Sequence, residues 1–331
     1  MKEGMERKIV VLTPVKNEAW ILPLFCTATS LWADHIVIAD QHSTDGSREI
    51  AKRFPKVTLV DNDSLDLDEN YRDTLLVNKA RELVGTNGIL FRIDADEMFT
   101  PNFDSEDWTN IKQSQVGTVW FFPWLQIYPG FESFWRFLPN YGAFVDDGRE
   151  FVPHGVIHAR QMFSPTSNDK LRHAQDIGLL HFQFVDWKRM QSKHRYYQCF
   201  EHVTFPTKSA VEIFRTYHWM YDPNLPLEPV PSQWIEDYRK LGVDINNVPF
   251  EEEYWWDRKV DEYLKEYSPK YFRHIETYKP GNLFSAKGKN PLDLLLLAYL
   301  EATKRIYNKK RSVFGKVVRK TDKVLQVGFH L

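Results

Sequence analysis

Ile89-Leu90-Phe91-Arg92-Ile93-Asp94-Ala95-Asp96-Glu97 reads as an apolar strand that ends in three carboxylates. A short buried strand is ordinary. Three acidic side chains at its tip are not, because like charges in contact repel by roughly 1 kcal/mol per pair even in water, and by more where water is excluded. Alternation along a strand sends Asp94 and Asp96 to one side and Ala95 to the other, which suits two oxygen ligands for one hard divalent metal. A solvated acidic loop after the strand is the competing reading, since Asp-x-Asp is short and common.

Upstream, Lys8-Ile9-Val10-Val11-Leu12-Thr13 is a β-branched run that stops at Pro14, and Lys16-Asn17-Glu18 turns into an apolar helix over residues 20–31. His35-Ile36-Val37-Ile38-Ala39 is a second strand, closed by Asp40-Gln41-His42-Ser43-Thr44-Asp45-Gly46 and followed by a helix over 47–54. Lys56-Val57-Thr58-Leu59-Val60 is a third. After an acidic loop over 61–70, the spacing of Leu75, Leu76, Lys79, Ala80 and Leu83 predicts a helix over 71–84, and Gly85-Thr86-Asn87-Gly88 turns the chain into Ile89. Strands alternating with helices predict an α/β fold on a mostly parallel, doubly wound sheet. Ligands bind such sheets off the carboxyl ends of the strands, which gathers residues 14–18, 40–45 and 94–97 around one crevice.

The 331 residues suffice for a full core in one large domain or two. Most of the 11 Trp, 15 Tyr and 23 Phe are expected in that core, although clustered aromatics also make stacking surfaces for sugars and bases. A formal net charge of −2 excludes a protein that coats nucleic acid. Cys26 and Cys199 form neither a disulfide framework nor a metal-ligand spacing, so a reducing compartment is expected. Residues 1–8 lack an apolar signal-peptide core, and no run reaches the roughly 18 apolar residues of a membrane span. The expected location is the cytoplasm, or the inner face of a membrane.

Three motifs in register resemble the family 2 glycosyltransferases, whose nucleotide-sugar-binding fold is called GT-A: Thr13-Pro14-Val15-Lys16-Asn17-Glu18, Asp40-Gln41-His42-Ser43-Thr44-Asp45-Gly46-Ser47 and Ile93-Asp94-Ala95-Asp96-Glu97. The resemblance covers the chain up to about Thr100. It implies a donor site for a nucleotide-diphosphate sugar that involves Pro14, Val15, Asn17 and Glu18. Asp40 would accept hydrogen bonds from the nucleoside, and Arg72 and Lys79 would reach the nucleotide. Asp94 would approach the ribose and the metal, with Asp96 the direct ligand of Mn²⁺ or Mg²⁺. Each role has a plainer rival: Asp40 as a turn residue, Lys79 on a solvated helix face. Asp45 is read as a cap for the helix from Ser47.

Past Thr100 the resemblance thins. Residues 117–122 read as another strand, and the aromatic segment 124–135, broken by Pro123, Pro129 and Gly130, reads as an acceptor wall or a flap over the core. Residues 148–163 read as paired strands around Pro153-His154-Gly155, and residues 177–184 as a strand carrying His181, followed by a helix over 186–200. This part resembles the bacterial lipopolysaccharide-core type of the family, except that Ile157-His158-Ala159 stands where a glutamate, a general base, is expected. An inverting transfer needs a base beside the acceptor hydroxyl. Asp176 and Asp147 are the first candidates here, ahead of Glu150 and Asp186. His181 is a candidate third metal ligand, against the commoner structural role of a lone strand histidine.

The expected domains are a glycosyltransferase domain over 1–210, a helical appendage over 211–290 and basic amphipathic helices over 291–331. In the last, Leu292, Leu295, Leu296, Tyr299, Leu300 and Ile306 share one stripe, and Val313, Phe314, Val317, Val318, Val324 and Leu325 continue it among nine basic residues from Lys304 to Lys323. Residues 312–331 are read as contacting an anionic membrane surface or a partner. Together these readings describe a metal-dependent, inverting glycosyltransferase with a nucleotide sugar as donor and a glycan or glycolipid as acceptor, acting in envelope or surface polysaccharide synthesis. An inactive glycan-binding module and a sugar nucleotidyltransferase are the alternatives. The second would carry a Gly-rich phosphate loop after its first strand, which residues 13–18 lack.

Overall fold

The structure, a computed structural model, describes residues 7–65, 68–150, 169–250, 253–277, 290–307 and 312–328. The first half alternates as expected: β1 (Ile9–Val15), α1 (Leu22–Ser30), β2 (His35–Asp40), α2 (Ser47–Ala51), β3 (Val57–Asp61), α3 (Glu69–Val84) and β4 (Ile89–Arg92). β1 lies between β2 and β4, β3 flanks β2, and all four run parallel. The unbroken apolar run of β1 follows from burial on both faces. Ile9 and Val11 pack in one cluster with Leu22, Phe25 and Cys26 of α1. Val10 and Leu12 pack in another with Leu76, Val77 and Ala80 of α3. The amino end of α3 is fixed by Asp68, whose side chain accepts from Tyr71 N, a cap worth about 1 kcal/mol.

The chain continues through β5 (Glu97–Phe99), α4 (Glu106–Gln113), β6 (Thr118–Ile127), β7 (Ser133–Val145), β8 (Lys170–His173) and β9 (Leu179–His181). β7 joins β4 antiparallel, β6 joins β7 antiparallel, β9 runs parallel to β6, and β5 pairs antiparallel with β9. The resulting order, β3-β2-β1-β4-β7-β6-β9-β5, is the mostly parallel α/β sheet that the sequence predicts, with antiparallel strands in its second half. The aromatic segment 124–135 is regular structure that packs on the core. It completes β6, turns and begins β7, and Trp135 and Phe134 are buried. Pro123 hid this hairpin from the pattern: lacking an N–H for the ladder, it sits where the β6–β7 register shifts between Phe122 and Trp124.

The remaining elements are α5 (Trp187–Thr204), α6 (Ala210–Thr216), β10 (Glu228–Pro229), α7 (Ser232–Lys240), α8 (Trp255–Tyr267), α9 (Pro291–Tyr307) and α10 (Val313–Gly328). The chain divides into two compact units, residues 1–185 with 227–250, and residues 186–226 with 251–331. This differs from a boundary at 210, because residues 227–250 return to the sheet. β10 pairs with β7, Tyr238 of α7 donates its hydroxyl to Phe99 O, and Val243 and Ile245 join the main core. In the second unit Cys199, Val260, Phe272 and Ile275 form one cluster, and Val211, Phe214, Leu296 and Leu300 another. The paired strands expected around Pro153 and the segment Ile157-His158-Ala159 fall outside the described residues. No described helix is long and apolar enough to cross a membrane.

Candidate active site

The acidic stretch does not continue β4. Ladder pairing stops at Arg92, and Glu97 N donates to Asp94 O at 3.0 Å, so residues 94–97 form a turn. The two aspartates therefore part rather than sharing one side of a strand. Asp94 keeps 40% of its side chain exposed, whereas Asp96 keeps 5%. Glu97 turns inward and is fully buried: its Oε2 accepts from Asp94 N (2.9 Å) and its Oε1 from Trp124 Nε1 (2.7 Å). It braces the turn instead of adding a third charge to the tip.

Arg92 and Asp73 balance the charge at the strand end, and the sequence reading missed both. Arg92, 2% exposed, donates from Nε to Asp73 Oδ1 (3.1 Å) and from Nη1 to Asp94 Oδ1 (2.9 Å). Burial opposes its charge, but the carboxylates of Asp73 and Asp94 more than offset that and raise its pKa above the ordinary guanidinium value. An arginine inside an apolar strand was the available signal, since such a residue is rarely buried unless paired. Arg72 joins from the first turn of α3, with Nε 3.3 Å from Asp73 Oδ1. Lys79 lies about 10 Å further along the helix, toward the opposite edge of the sheet, and pairs with Glu82.

His181 ends β9 directly opposite Glu97. Its Nε2 lies 3.6 Å from Asp96 Oδ2, and its Nδ1 lies 2.7 Å from Gln126 Oε1. With the amide oxygen toward the ring, Nδ1 is the donor in this pair, which leaves Nε2, facing Asp96, available as a ligand in the neutral imidazole. Trp124 stacks on the imidazole, with ring centres 4.8 Å apart at 16°. The Gln126 amide nitrogen is buried with no hydrogen-bond partner among the described residues. Two adjacent ligands of an octahedral Mn²⁺ or Mg²⁺ with bonds near 2.1 Å lie about 3.0 Å apart, so this oxygen–nitrogen pair would have to close by about 0.6 Å to share one ion. Among the described residues no group of three or more His, Cys, Asp or Glu could hold a metal. Diphosphate oxygens and water would complete such a shell, a common arrangement for Mg²⁺.

The motif loops lie at the same edge. Val15 is level with Asp40, and Thr13 Oγ1 donates to Ile93 O at 2.7 Å, tying the ends of β1 and β4. Pro14 is level with Ala39. Asn17, at φ 56°, donates its backbone N–H to Ser43 Oγ and accepts from Thr44 N. Glu18 N donates to Ser47 Oγ, and its Oε2 accepts from Trp20 Nε1. Asp45 accepts from Ala19 N and Ser47 N, so it links two loops just ahead of α2, whose N-cap is Gly46 rather than Asp45. Asp40 is 1% exposed: Oδ2 accepts from Arg48 Nη1 (2.8 Å), while Oδ1 is buried with no partner among the described residues. Hydrogen bonds to Asp40 and Asp61 raise the pKa of Arg48. Asp40 and the tip of β4 stand two strands apart, roughly 10 Å.

Neither expected base reaches this edge. Asp147 follows β7 at the opposite end of the sheet, where neighbouring Asp146 N donates to Gly88 O ahead of β4. Arg149 Nε donates to Asp147 Oδ2 at 2.8 Å. Burial alone would raise the Asp147 pKa, but hydrogen bonds from Arg149 lower it below the usual carboxylate value, which makes a poor base. Asp176 precedes β9, about 16 Å of extended chain before His181. Its backbone N–H donates to Asp107 Oδ2, and its carbonyl accepts from Asn102 Nδ2. Asp186 caps α5 and accepts from Tyr254 Oη, so it is occupied structurally.

No known family profile and no curated protein matches the chain. Among solved structures it is similar, over part of its length, to glucosyl-3-phosphoglycerate synthase from Mycobacterium tuberculosis in complex with Mn²⁺, UDP and glucosyl-3-phosphoglycerate, at 21% identity over 38% of this chain and 45% of that chain, TM-score 0.25. The same enzyme with Mn²⁺, UDP and phosphoglyceric acid gives 20% identity over 38% and 44%, TM-score 0.25. HddC from Yersinia pseudotuberculosis gives 8% identity over 54% of this chain and 94% of that one, TM-score 0.32. The chain spans less than half the length of the synthase chains it matches.

Proposed function

We propose that the chain is a metal-dependent glycosyltransferase of GT-A type that binds a nucleotide-diphosphate sugar at the carboxyl edge of β1, β2 and β4. The observation that carries this reading is the pair Asp96 Oδ2 and His181 Nε2, 3.6 Å apart and nearly buried, beside strand ends that bear Asp40 and Asp94. A bound Mn²⁺ or Mg²⁺ would supply Lewis-acid neutralisation of the diphosphate.

In this account Asp96 and His181 hold the metal, and Gln126 keeps the imidazole in the ligating tautomer. Asp94, oriented by Arg92, accepts from the ribose, while Asp73 fixes Arg92. The spare Asp40 oxygen accepts from the base of the nucleoside once residues 41–45 shift to admit it. Arg72 supplies positive charge to the nucleotide. The sugar passes to a glycan or glycolipid hydroxyl as its bond to the diphosphate breaks; an inverting course would need a base to take the hydroxyl proton, and neither Asp147 nor Asp176 stands at this edge.

The test is release of nucleoside diphosphate from UDP-, GDP- and dTDP-sugars with Mn²⁺ and then with chelator. Metal-dependent release from one nucleotide class, lost in Asp96→Ala, is expected. No release from any donor, with the folded chain verified by its melting transition, would overturn the reading in favour of a binding module.

A further inference from the structure

The helix α10 carries two apolar stripes, and among the described residues only one of them is buried. Val318 and Asp322 are buried, and Leu325 packs against the cluster formed by Val211, Phe214, Leu296 and Leu300. On the helical wheel, at 3.6 residues per turn, Val313, Phe314, Val317 and Val324 fall on a different sector. They are 74%, 75%, 56% and 68% exposed. Lys316, Lys320 and Lys323, also exposed, border that sector on one side. Asp322 is the only acid between Lys304 and Leu331. It is turned inward, where Arg215 Nε donates to its Oδ2 at 3.0 Å. The outward face is therefore apolar and cationic: the helix's own acid, Asp322, is neutralised inside, and Glu212 of α6 shares a cavity with Lys323, at the end of the lysine row.

We propose that this outward face of α10 docks on an anionic lipid surface, with Phe314 and the three valines entering the acyl boundary and the three lysines facing the headgroups. A stripe of apolar residues bordered by lysines is the pattern of a helix lying in a bilayer interface. Charge selects an anionic partner. Each lysine near such a surface adds roughly fivefold to affinity. The inference stands apart from the donor site and requires neither metal nor nucleotide.

The experiment is co-sedimentation of the full chain with vesicles of phosphatidylcholine, and with vesicles of phosphatidylcholine mixed with phosphatidylglycerol, at low and high salt. Two variants accompany it: Phe314→Ser with Val317→Ser, and Lys316→Gln with Lys320→Gln and Lys323→Gln. These positions are exposed, so melting temperatures should match the parent. Binding to the anionic vesicles alone, weakened by salt and reduced at least tenfold in either variant, is expected. Equal binding to both vesicle types, unchanged binding by the variants, or no binding by the parent would overturn the proposal. So would self-association of the parent that the Phe314 variant abolishes, which would assign the face to protein contact.

Discussion

His181 presents Nε2 to Asp96 Oδ2 at 3.6 Å while its Nδ1 is committed to Gln126 at 2.7 Å. That spacing is too long for a good hydrogen bond and about 0.6 Å longer than the separation of two adjacent ligands of one octahedral ion. The two residues come from different strands, β9 and the turn before β5, brought level by antiparallel pairing of Glu97 with His181.

Gln126 fixes the tautomer, so Gln126→Leu should weaken Mn²⁺ binding by about 10- to 100-fold, the usual cost of losing such a support, while leaving the fold nearly unchanged. Manganese titration followed by electron paramagnetic resonance measures this directly. An affinity equal to the parent's would remove Gln126 from the account.

Arg92 neutralises Asp73 inside the protein. Arg92→Met would leave the buried Asp73 with Arg72 alone as its partner, at a cost of up to about 3 kcal/mol, read by denaturant unfolding. Replacing both, as Arg92→Met with Asp73→Leu, should recover much of that loss. A double variant less stable than the single one would contradict the pairing.

The parallel half of the sheet was legible because strands buried on both faces read as unbroken apolar runs, and the turn residues between them are explicit. Asp96 and His181 were legible as residues with ligand chemistry, and their meeting required the β5–β9 pairing, which two strands of three residues do not announce. Alternation failed at Asp94 because a turn begins there. The β6–β7 hairpin was hidden by Pro123, and the return of residues 227–250 by a two-residue strand. Asp147 and Asp176 looked suitable as bases in the linear order, but antiparallel β7 carries Asp147 to the opposite end of the sheet, and Asp176 precedes β9 while His181 ends it.

Asp147→Asn and Asp176→Asn should each keep donor turnover within about twofold of the parent, as is common for changes away from a reacting centre. A loss of several orders of magnitude in kcat with unchanged melting would restore either one as the base.

His194 in α5 is buried, and its Nδ1 lies 3.2 Å from Tyr217 O. Burial, with the nearby charges of Lys193 and His218, pushes its pKa down to about 3 from an ordinary 6.5. The unfolded imidazole takes up a proton near pH 6.5 and the folded one does not, so this stabilisation is complete above about pH 6.5 and declines as pH falls toward 3. His194→Gln should reduce the slope of unfolding free energy against pH within that window, measured by urea titrations. An unchanged slope would show that His194 does not set it.

The most direct test of the donor site is calorimetric titration of UDP, GDP and dTDP into the parent and into Asp96→Ala, each with Mn²⁺ and with chelator. The account predicts that one nucleotide binds the parent only with Mn²⁺, and that Asp96→Ala, still folded, loses that binding. Equal binding with and without metal, or equal binding by both proteins, would contradict a metal held by Asp96 and His181.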